Sequence, residues 1–130
     1  MKPIYTQGAP NPVGPYSQAI VSGNFLFLSG QIGIDPQTGK LKDTFEEQVI
    51  QIFKNVDEIL KCAGATRQNV VKVVVYMTDL SLFPLLNALY EDFFRDIDVK
   101  PARTTIGVSA LPLGAYVEID ITAVLGQGKV

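Results

Sequence analysis

The chain has 130 residues, a formal net charge of −2 and no histidine. This length is typical of one domain with a substantial core. The slight acidity and the absence of a basic run argue against a nucleic acid partner. The lack of histidine excludes His-based triads and most zinc sites. Acid–base chemistry therefore has to use carboxylates, tyrosines, lysines, backbone groups or bound water.

The sequence shows no sign of export or membrane insertion. The N-terminal segment 1–18 has no apolar core of the kind that a signal peptide carries. No apolar stretch reaches the ~20 residues of a membrane span. The single cysteine, Cys62, excludes an intrachain disulfide and fits a reducing compartment. We therefore expect a cytoplasmic protein without a membrane partner.

The first half of the chain predicts an irregular arm, a hairpin and a helix. Residues 1–15 hold four prolines and two glycines, which predict the arm. The hairpin strands are predicted at 18–21 and 25–34. Thr44 and Glu47 then form a capping-box pattern, followed by apolar residues at helical spacing up to a stop at Gly64.

The second half predicts a strand, a helix and two strands. Their ranges are 69–77, about 82–96, 104–110 and 116–125. Ser81 is the predicted cap of this helix, and Pro84 fits its first turn. The order β-β-α-β-α-β-β predicts a single α+β domain over residues 1–130, with a mixed sheet and both helices on one face.

Alternation along the last two strands separates polar from apolar side chains. It predicts that Arg103, Thr105 and Glu118 lie on the sheet face away from the helices, or on its rim. The segments 26–28 and 73–75 are apolar on both faces, as in strands covered on both sides. Two helices cover only one face, so we expect further copies of the chain to cover the other. The alternative is that these side chains are simply exposed.

The candidate site residues each have two interpretations by spacing alone. Arg103 either forms an ion pair, for example with Glu118, or clamps an anion through its planar fork. Glu118 in an alternating strand is otherwise a solvated side chain. Tyr16 can anchor the N-terminal arm, and a glycine within a strand, Gly30, indicates close packing or close approach of a ligand. Asn87 and Tyr90, three apart on a helix, suit a structural hydrogen bond between them.

Several short motifs occur together and in order. They are Gly14-Pro15-Tyr16, Ser29-Gly30-Gln31, Asn87-x-x-Tyr90-x-x-Phe93-Phe94, Pro101-Ala102-Arg103-Thr104, and Leu111-Pro112 with Val117-Glu118-Ile119. With them the sequence resembles the RidA family of reactive-intermediate deaminases, also called the YjgF/YER057c/UK114 family. The resemblance covers essentially the whole chain.

The resemblance implies a homotrimer with chorismate-mutase-like packing of the sheets and a cleft between each pair of subunits. It implies hydrolysis of 2-enamino and 2-imino acids, such as 2-aminoacrylate, 2-iminobutanoate or 2-iminopropanoate, to 2-keto acids and ammonia, without cofactor or metal. It leaves open a non-catalytic trimer that binds small carboxylates and has a regulatory or chaperone-like role. An endoribonuclease role is also associated with the family, but the acidic balance argues against it.

Residue by residue, the resemblance implies that Arg103 binds the substrate carboxylate and that Glu118 orients or activates water. The implied substrate-binding positions are Tyr16, Ser29, Gly30, Asn87, Arg103 and Thr105. Thr105 stands where many members have cysteine, so no thiol nucleophile is available there. A nearby Arg103 would keep Glu118 ionised. We expect both residues to meet residues of a neighbouring chain.

Overall fold

The structure is a computed structural model and describes residues 1–126. Within that range the chain forms six β-strands and two α-helices. Their bounds are β1 Lys2–Ile4, β2 Ala19–Ser22, β3 Phe25–Leu28, α1 Phe45–Cys62, β4 Val70–Met77, α2 Phe83–Phe93, β5 Ala102–Gly107 and β6 Val117–Val124. The predicted α+β class and element order are confirmed, with β1 as an additional strand. Residues 127–130, the end of the predicted domain, lie outside the described residues.

Several predicted boundaries are wrong: the helix predicted at about 82–96 ends at Phe93, and the strand predicted at 104–110 is Ala102–Gly107. The strand predicted at 25–34 ends at Leu28, and beyond it the chain contacts β6 through a single bridge between Gln31 and Ile119. Helix α2 is preceded by a 3₁₀ turn, Leu80–Leu82. Ser81 does not cap the helix. Its backbone N–H instead donates to the carboxylate of Asp79, at 2.9 Å.

The sheet has the strand order β1-β2-β3-β6-β4-β5. All neighbours are antiparallel except β4 and β5, which are parallel and are connected through α2. This confirms the predicted mixed sheet and makes β5 an edge strand. No helix within residues 1–126 is long and apolar enough to cross a membrane.

Both helices pack on the same face of the sheet, as predicted. The predicted capping box starts α1: Thr44 Oγ1 accepts from Glu47 N at 3.1 Å, and Thr44 N donates to Glu47 Oε1 at 3.2 Å. The apolar side of α1 then meets alternate residues of β4 and β6. The fully buried members include Val49, Ile52, Val56, Val73, Val75, Ile119 and Ile121.

An aromatic cluster joins the two helices. The Phe53 ring of α1 stacks on Phe93 at 4.1 Å between centroids, and Tyr90 of α2 lies edge-on to Phe53 at 6.3 Å. Phe94 packs against Tyr90 with centroids 4.8 Å apart. These contacts hold the position of the Tyr90 ring, which matters for the site described below.

The opposite sheet face, here called the open face, has no helix over it among residues 1–126. Phe25 and Phe27 lie on it with 48% and 43% of their surface exposed, and their rings stack at 5.9 Å. The prediction that one apolar face is left uncovered by the chain's own helices is therefore confirmed. The positions of the open face in the register of β3 to β6 are Phe25, Phe27, Lys72, Val74, Tyr76, Thr104, Ile106, Glu118, Asp120 and Thr122.

Replacing Gly33 by alanine is expected to destabilise the protein by roughly 1–3 kcal/mol or more, because overpacking forces neighbouring backbone to move. A Cβ at Gly33 would lie 2.5 Å from Gln48 Cα and 2.8 Å from Gln48 O, within helix α1. The free energy of unfolding in urea measures the effect. Gly14→Ala is the matched control, since its nearest contact would be a Tyr16 ring atom at 3.4 Å. Equal stability of both variants would contradict this prediction.

Candidate functional site

One group of predicted site residues meets in a groove on the open face. Tyr16, Gly30 and Glu118 line this groove, whose volume is about 210 Å³, together with Gln31 and Pro112. Glu118 comes from β6, whereas Gly30 follows β3 and Tyr16 belongs to the N-terminal arm. We call this group the carboxylate groove.

Two residues of the groove also have structural contacts. Tyr16 Oη accepts a bond from Val13 N at 3.3 Å, so Tyr16 does anchor the arm as one interpretation predicted. Ser29 lies beside the groove, and its hydroxyl donates to Ser17 O at 2.6 Å. That hydroxyl is therefore engaged in joining the arm to β3.

Two carboxylates approach the backbone closely at Gly30. A Cβ at this position would collide with Glu118 Oε2 and would lie 2.6 Å from Asp120 Oδ1. The close packing that one interpretation of Gly30 predicted is therefore found within the chain itself. Asp120 was not singled out by the sequence patterns. The signal that could have found it is its i+2 spacing from Glu118, which places both on one face of a strand.

Burial raises the pKa of Glu118, and the nearby Asp120 carboxylate raises it further. Burial also raises the pKa of Asp120, against the opposing effect of a hydrogen bond from Tyr76 Oη at 3.1 Å. Arg103 does not act on Glu118 within one chain, so the expectation that Arg103 keeps Glu118 ionised stays a prediction for a site shared between chains. The charge that acts on Glu118 is a neighbouring carboxylate rather than a cation.

Arg103 and Thr105 lie on the other face of the sheet. In the parallel β4–β5 pairing, Arg103 is level with Val73 and Thr105 with Val75, both of which are buried under the helices. The prediction that these two residues share a face with Glu118 is wrong. The physical reason is that Arg103 covers aromatic rings of α2, whereas Ile106 of the same strand faces the other side and is 41% exposed.

The Arg103 guanidinium stacks on α2. Its Cζ lies 4.7 Å from the Tyr90 ring centroid and 5.3 Å from that of Phe83. Asn87 shares the helix face of these two aromatic residues by its i+4 and i+3 spacing. Within residues 1–126 no carboxylate lies within salt-bridge distance of Arg103. We call Arg103, Thr105, Asn87, Phe83 and Tyr90 the arginine cradle.

Two buried hydroxyls in the cradle have no hydrogen-bond partner among the described residues, Thr105 Oγ1 and Tyr90 Oη. The predicted bond between Asn87 and Tyr90 is therefore absent. Burial raises the pKa of Tyr90 to about 12, although the Arg103 charge acts in the opposite direction. Tyr90 thus stays protonated at neutral pH. It is a residue that the sequence motifs include but to which the sequence assigned no functional part.

Replacing Tyr90 by phenylalanine is expected to raise the free energy of unfolding by about 1 kcal/mol, because a buried hydroxyl without a partner costs ~1–3 kcal/mol. The ring and its stacking on Arg103 are retained. Chemical denaturation of the purified protein measures the change. Tyr5→Phe is the matched control, since its exposed hydroxyl already bonds Asn11 at 2.7 Å. A lower stability of Tyr90→Phe would show that the hydroxyl has a partner in the assembled protein.

The predicted site residues thus form two groups rather than one. Tyr16, Ser29, Gly30 and Glu118 lie in or beside the carboxylate groove. Arg103, Thr105 and Asn87 belong to the arginine cradle, behind the sheet as seen from the groove. The strands that carry Arg103 and Glu118 are separated by β4.

The strand order and these two residue groups define one class of single-sheet α+β protein. The model of the family described as Endoribonuclease L-PSP matches residues 6–125. The chain belongs to this family, which is the RidA or YjgF/UK114 family that the sequence motifs resemble.

The relatives extend along nearly the whole chain. A RutC family protein from Aquifex aeolicus is 62% identical over 124 residues, which cover 95% of this chain and 99% of the relative. Reactive Intermediate Deaminase A, chloroplastic, from Arabidopsis thaliana is 44% identical over 123 residues, covering 94% of this chain and 65% of the relative. The crystal structure of E. coli TdcF with bound serine has a TM-score of 0.92 at 35% identity, covering 97% of this chain and 100% of that one.

Proposed function

We propose that this protein hydrolyses reactive 2-enamino and 2-imino acids, such as 2-aminoacrylate, to 2-keto acids and ammonia. The 2-imino acids with short side chains, 2-iminopropanoate and 2-iminobutanoate, are the proposed substrates. The proposed enzyme uses no cofactor and acts as a homotrimer in the cytoplasm, where it removes damaging metabolites. A relative named Reactive Intermediate Deaminase A supports the general activity.

The unpaired guanidinium of Arg103 is the observation on which the proposal depends. Charged groups that are taken out of water are usually paired with an opposite charge. Arg103 instead stacks on two rings, which leaves the edge of the fork free for a ligand. A planar fork binds a carboxylate through two charge-assisted hydrogen bonds. The ligand implied is therefore a small carboxylate, as in an imino acid.

The positions of Arg103 and Glu118 support a site shared by two chains. Within one chain the sheet lies between the two side chains, so a single small substrate cannot touch both. If both act on one molecule, each must come from a different copy. The exposed aromatic residues of the open face supply apolar surface for that association. A closed ring of three copies would contain three such clefts.

The chemistry needs little beyond placement. A protonated imine is already electrophilic, so the protein has to hold the substrate carboxylate, fix its orientation and place a water molecule. We assign the first task to Arg103 and the last to Glu118. Tyr16, Ser29, Gly30, Asn87 and Thr105 are the proposed substrate-binding positions around them.

A second candidate function is a non-catalytic trimer that binds small carboxylates and has a regulatory or chaperone-like role. The solved structure of E. coli TdcF with bound serine favours binding of an amino acid by a similar fold. This function needs the same Arg103 contact but no water activation. It predicts saturable binding of 2-keto acids without turnover.

The deciding experiment generates a 2-imino acid in place with an amino-acid oxidase and traps the escaping imine with semicarbazide. The deaminase proposal expects the protein to reduce the trapped adduct and to speed release of keto acid and ammonia. An unchanged adduct, together with saturable keto-acid binding, would favour the non-catalytic function. The same preparation is incubated with RNA, since the family description names an endoribonuclease. We expect no cleavage that depends on Arg103.

A further inference from the structure

Asp120 is a charged neighbour of Glu118 that raises the pKa of Glu118, and neither the sequence motifs nor the proposed reaction assigns Asp120 a part. The two residues are two apart on β6 and therefore face the same side of the sheet. Their oxygens Glu118 Oε2 and Asp120 Oδ1 both reach the point where a Cβ would stand on Gly30. The two carboxyl groups thus converge beside one backbone position in the wall of the carboxylate groove.

Tyr76 holds Asp120 in this position. Its hydroxyl donates to Asp120 Oδ2 at 3.1 Å from the neighbouring strand β4. In the antiparallel pairing of β4 and β6, Tyr76 is opposite Glu118 and Val74 is opposite Asp120. One oxygen of Asp120 is therefore occupied by Tyr76, and the other is directed towards Gly30 and the Glu118 carboxylate.

The surroundings of Glu118 contain few other charges. Among residues 1–126, the titratable groups on this side of the sheet are Lys72 and Tyr76 on β4, Asp120 on β6, Tyr116 directly before β6, and Tyr16 in the arm. Lys72 Nζ bonds Thr104 Oγ1 at 2.8 Å. The residues of β3 on this face, Phe25 and Phe27, carry no charge. Asp120 is consequently the group whose charge Glu118 experiences most directly in its own chain.

Two carboxylates that lie close together resist being ionised at the same time, so the charge of one raises the pKa of the other. The raised pKa values of Glu118 and Asp120 agree with this arrangement. The raised pKa of Tyr76, caused first by the Asp120 charge, agrees with a Tyr76 hydroxyl that donates to Asp120.

We propose that Asp120 is a positioning residue: fixed by Tyr76, it places a second carboxyl group beside Glu118 so that Glu118 can both take up and return a proton. The inference rests on the proposed function for the reaction that it serves. It adds a role that neither the arginine cradle nor Glu118 alone supplies, namely delivery of a proton to the departing ammonia.

The proton transfers balance without an additional reactant. Glu118 removes a proton from water while the water oxygen forms a bond to the iminium carbon, which gives a neutral amino alcohol. Glu118 then returns this proton to the nitrogen. The C–N bond breaks with its electron pair going to nitrogen, ammonia leaves, and the hydroxyl proton is released as the carbonyl forms. The sum is one iminium and one water converted to one keto acid and one ammonium ion.

The test compares Asp120→Asn with the wild-type protein. Asparagine keeps the size of the side chain and an oxygen for the Tyr76 hydroxyl, but it removes the charge. The kcat/KM of the wild type should rise with pH as Glu118 ionises. The midpoint of this rise should fall by about one pH unit in Asp120→Asn, because a like charge raises a neighbouring carboxyl pKa. Asp120→Glu keeps the negative charge and should therefore show the wild-type midpoint. Asp98→Asn is the control, because Asp98 is exposed and remote in sequence.

A carboxyl-carbon NMR titration measures the titration midpoint of Glu118 directly, without the need for enzymatic turnover. A lower titration midpoint in Asp120→Asn supports the carboxyl pair, even if the wild type proves to have no deaminase activity. In that case the proposed deaminase function would be refuted, but the effect of the Asp120 charge on Glu118 would be supported. An unchanged or higher midpoint in a folded Asp120→Asn protein would overturn the inference, whatever the activity.

Discussion

Replacing Arg103 by alanine is expected to lower kcat/KM for a 2-imino acid by about 10²- to 10⁴-fold, because two hydrogen bonds to a charged group are worth roughly 1.5–3 kcal/mol each. Arg103→Lys should recover only part of this loss, since an ammonium group is a point charge without a planar fork. The measurement is initial-rate release of keto acid from imine generated in place. The affinity for a 2-keto acid should fall in parallel.

Two further variants separate loss of the ligand contact from loss of structure. Arg103→Met keeps an unbranched stem that can pack on the Tyr90 and Phe83 rings, and it should be as inactive as Arg103→Ala while unfolding near the wild-type denaturant concentration. Arg95→Ala removes an exposed arginine that pairs with Asp92 at 2.7 Å, and it should keep full activity. Full activity of folded Arg103→Met would refute the carboxylate contact.

Mixing two inactive variants is expected to restore activity. Glu118→Gln should be inactive because it cannot accept a proton from water, and Arg103→Ala because it cannot hold the substrate. Each site shared by two neighbouring chains needs one intact Arg103 and one intact Glu118. In a closed ring of three with head-to-tail interfaces, each mixed oligomer contains one intact site, so the mixed oligomers should regain roughly a third of the wild-type activity.

The complementation experiment uses the two full-length chains, each with a different affinity tag. They are unfolded together, refolded, and purified through both tags so that mixed oligomers are assayed. Each variant carried through the same steps alone is the control and should stay inactive. Mixed oligomers without activity would refute the shared site. In that case the position of Arg103 and Glu118 on opposite faces of the sheet would describe the single chain only.

Much of the fold followed from local sequence signals. The capping box at Thr44 and Glu47 and the helical spacing behind it predicted α1 correctly, because both depend on residues within a few turns of each other. The short strand β1 was missed, since Lys2-Pro3-Ile4 has little strand pattern and is held by pairing with β2. The uncovered apolar face was predicted correctly because two helices cannot cover both sides of a sheet.

The amino-acid sequence by itself determined which chemical groups are present, namely an arginine and carboxylates but no histidine, and which short segments form helices and strands. Tertiary structure alone decided the face on which each group lies. Alternation along β5 distinguishes two sets of residues but does not say which set faces the helices. That choice is made by the parallel register with β4, about thirty residues away in the chain, and by the stacking of Arg103 on α2. For the same reason the pairing of Glu118 with Asp120 and Tyr76 appeared only once β4 and β6 were placed side by side.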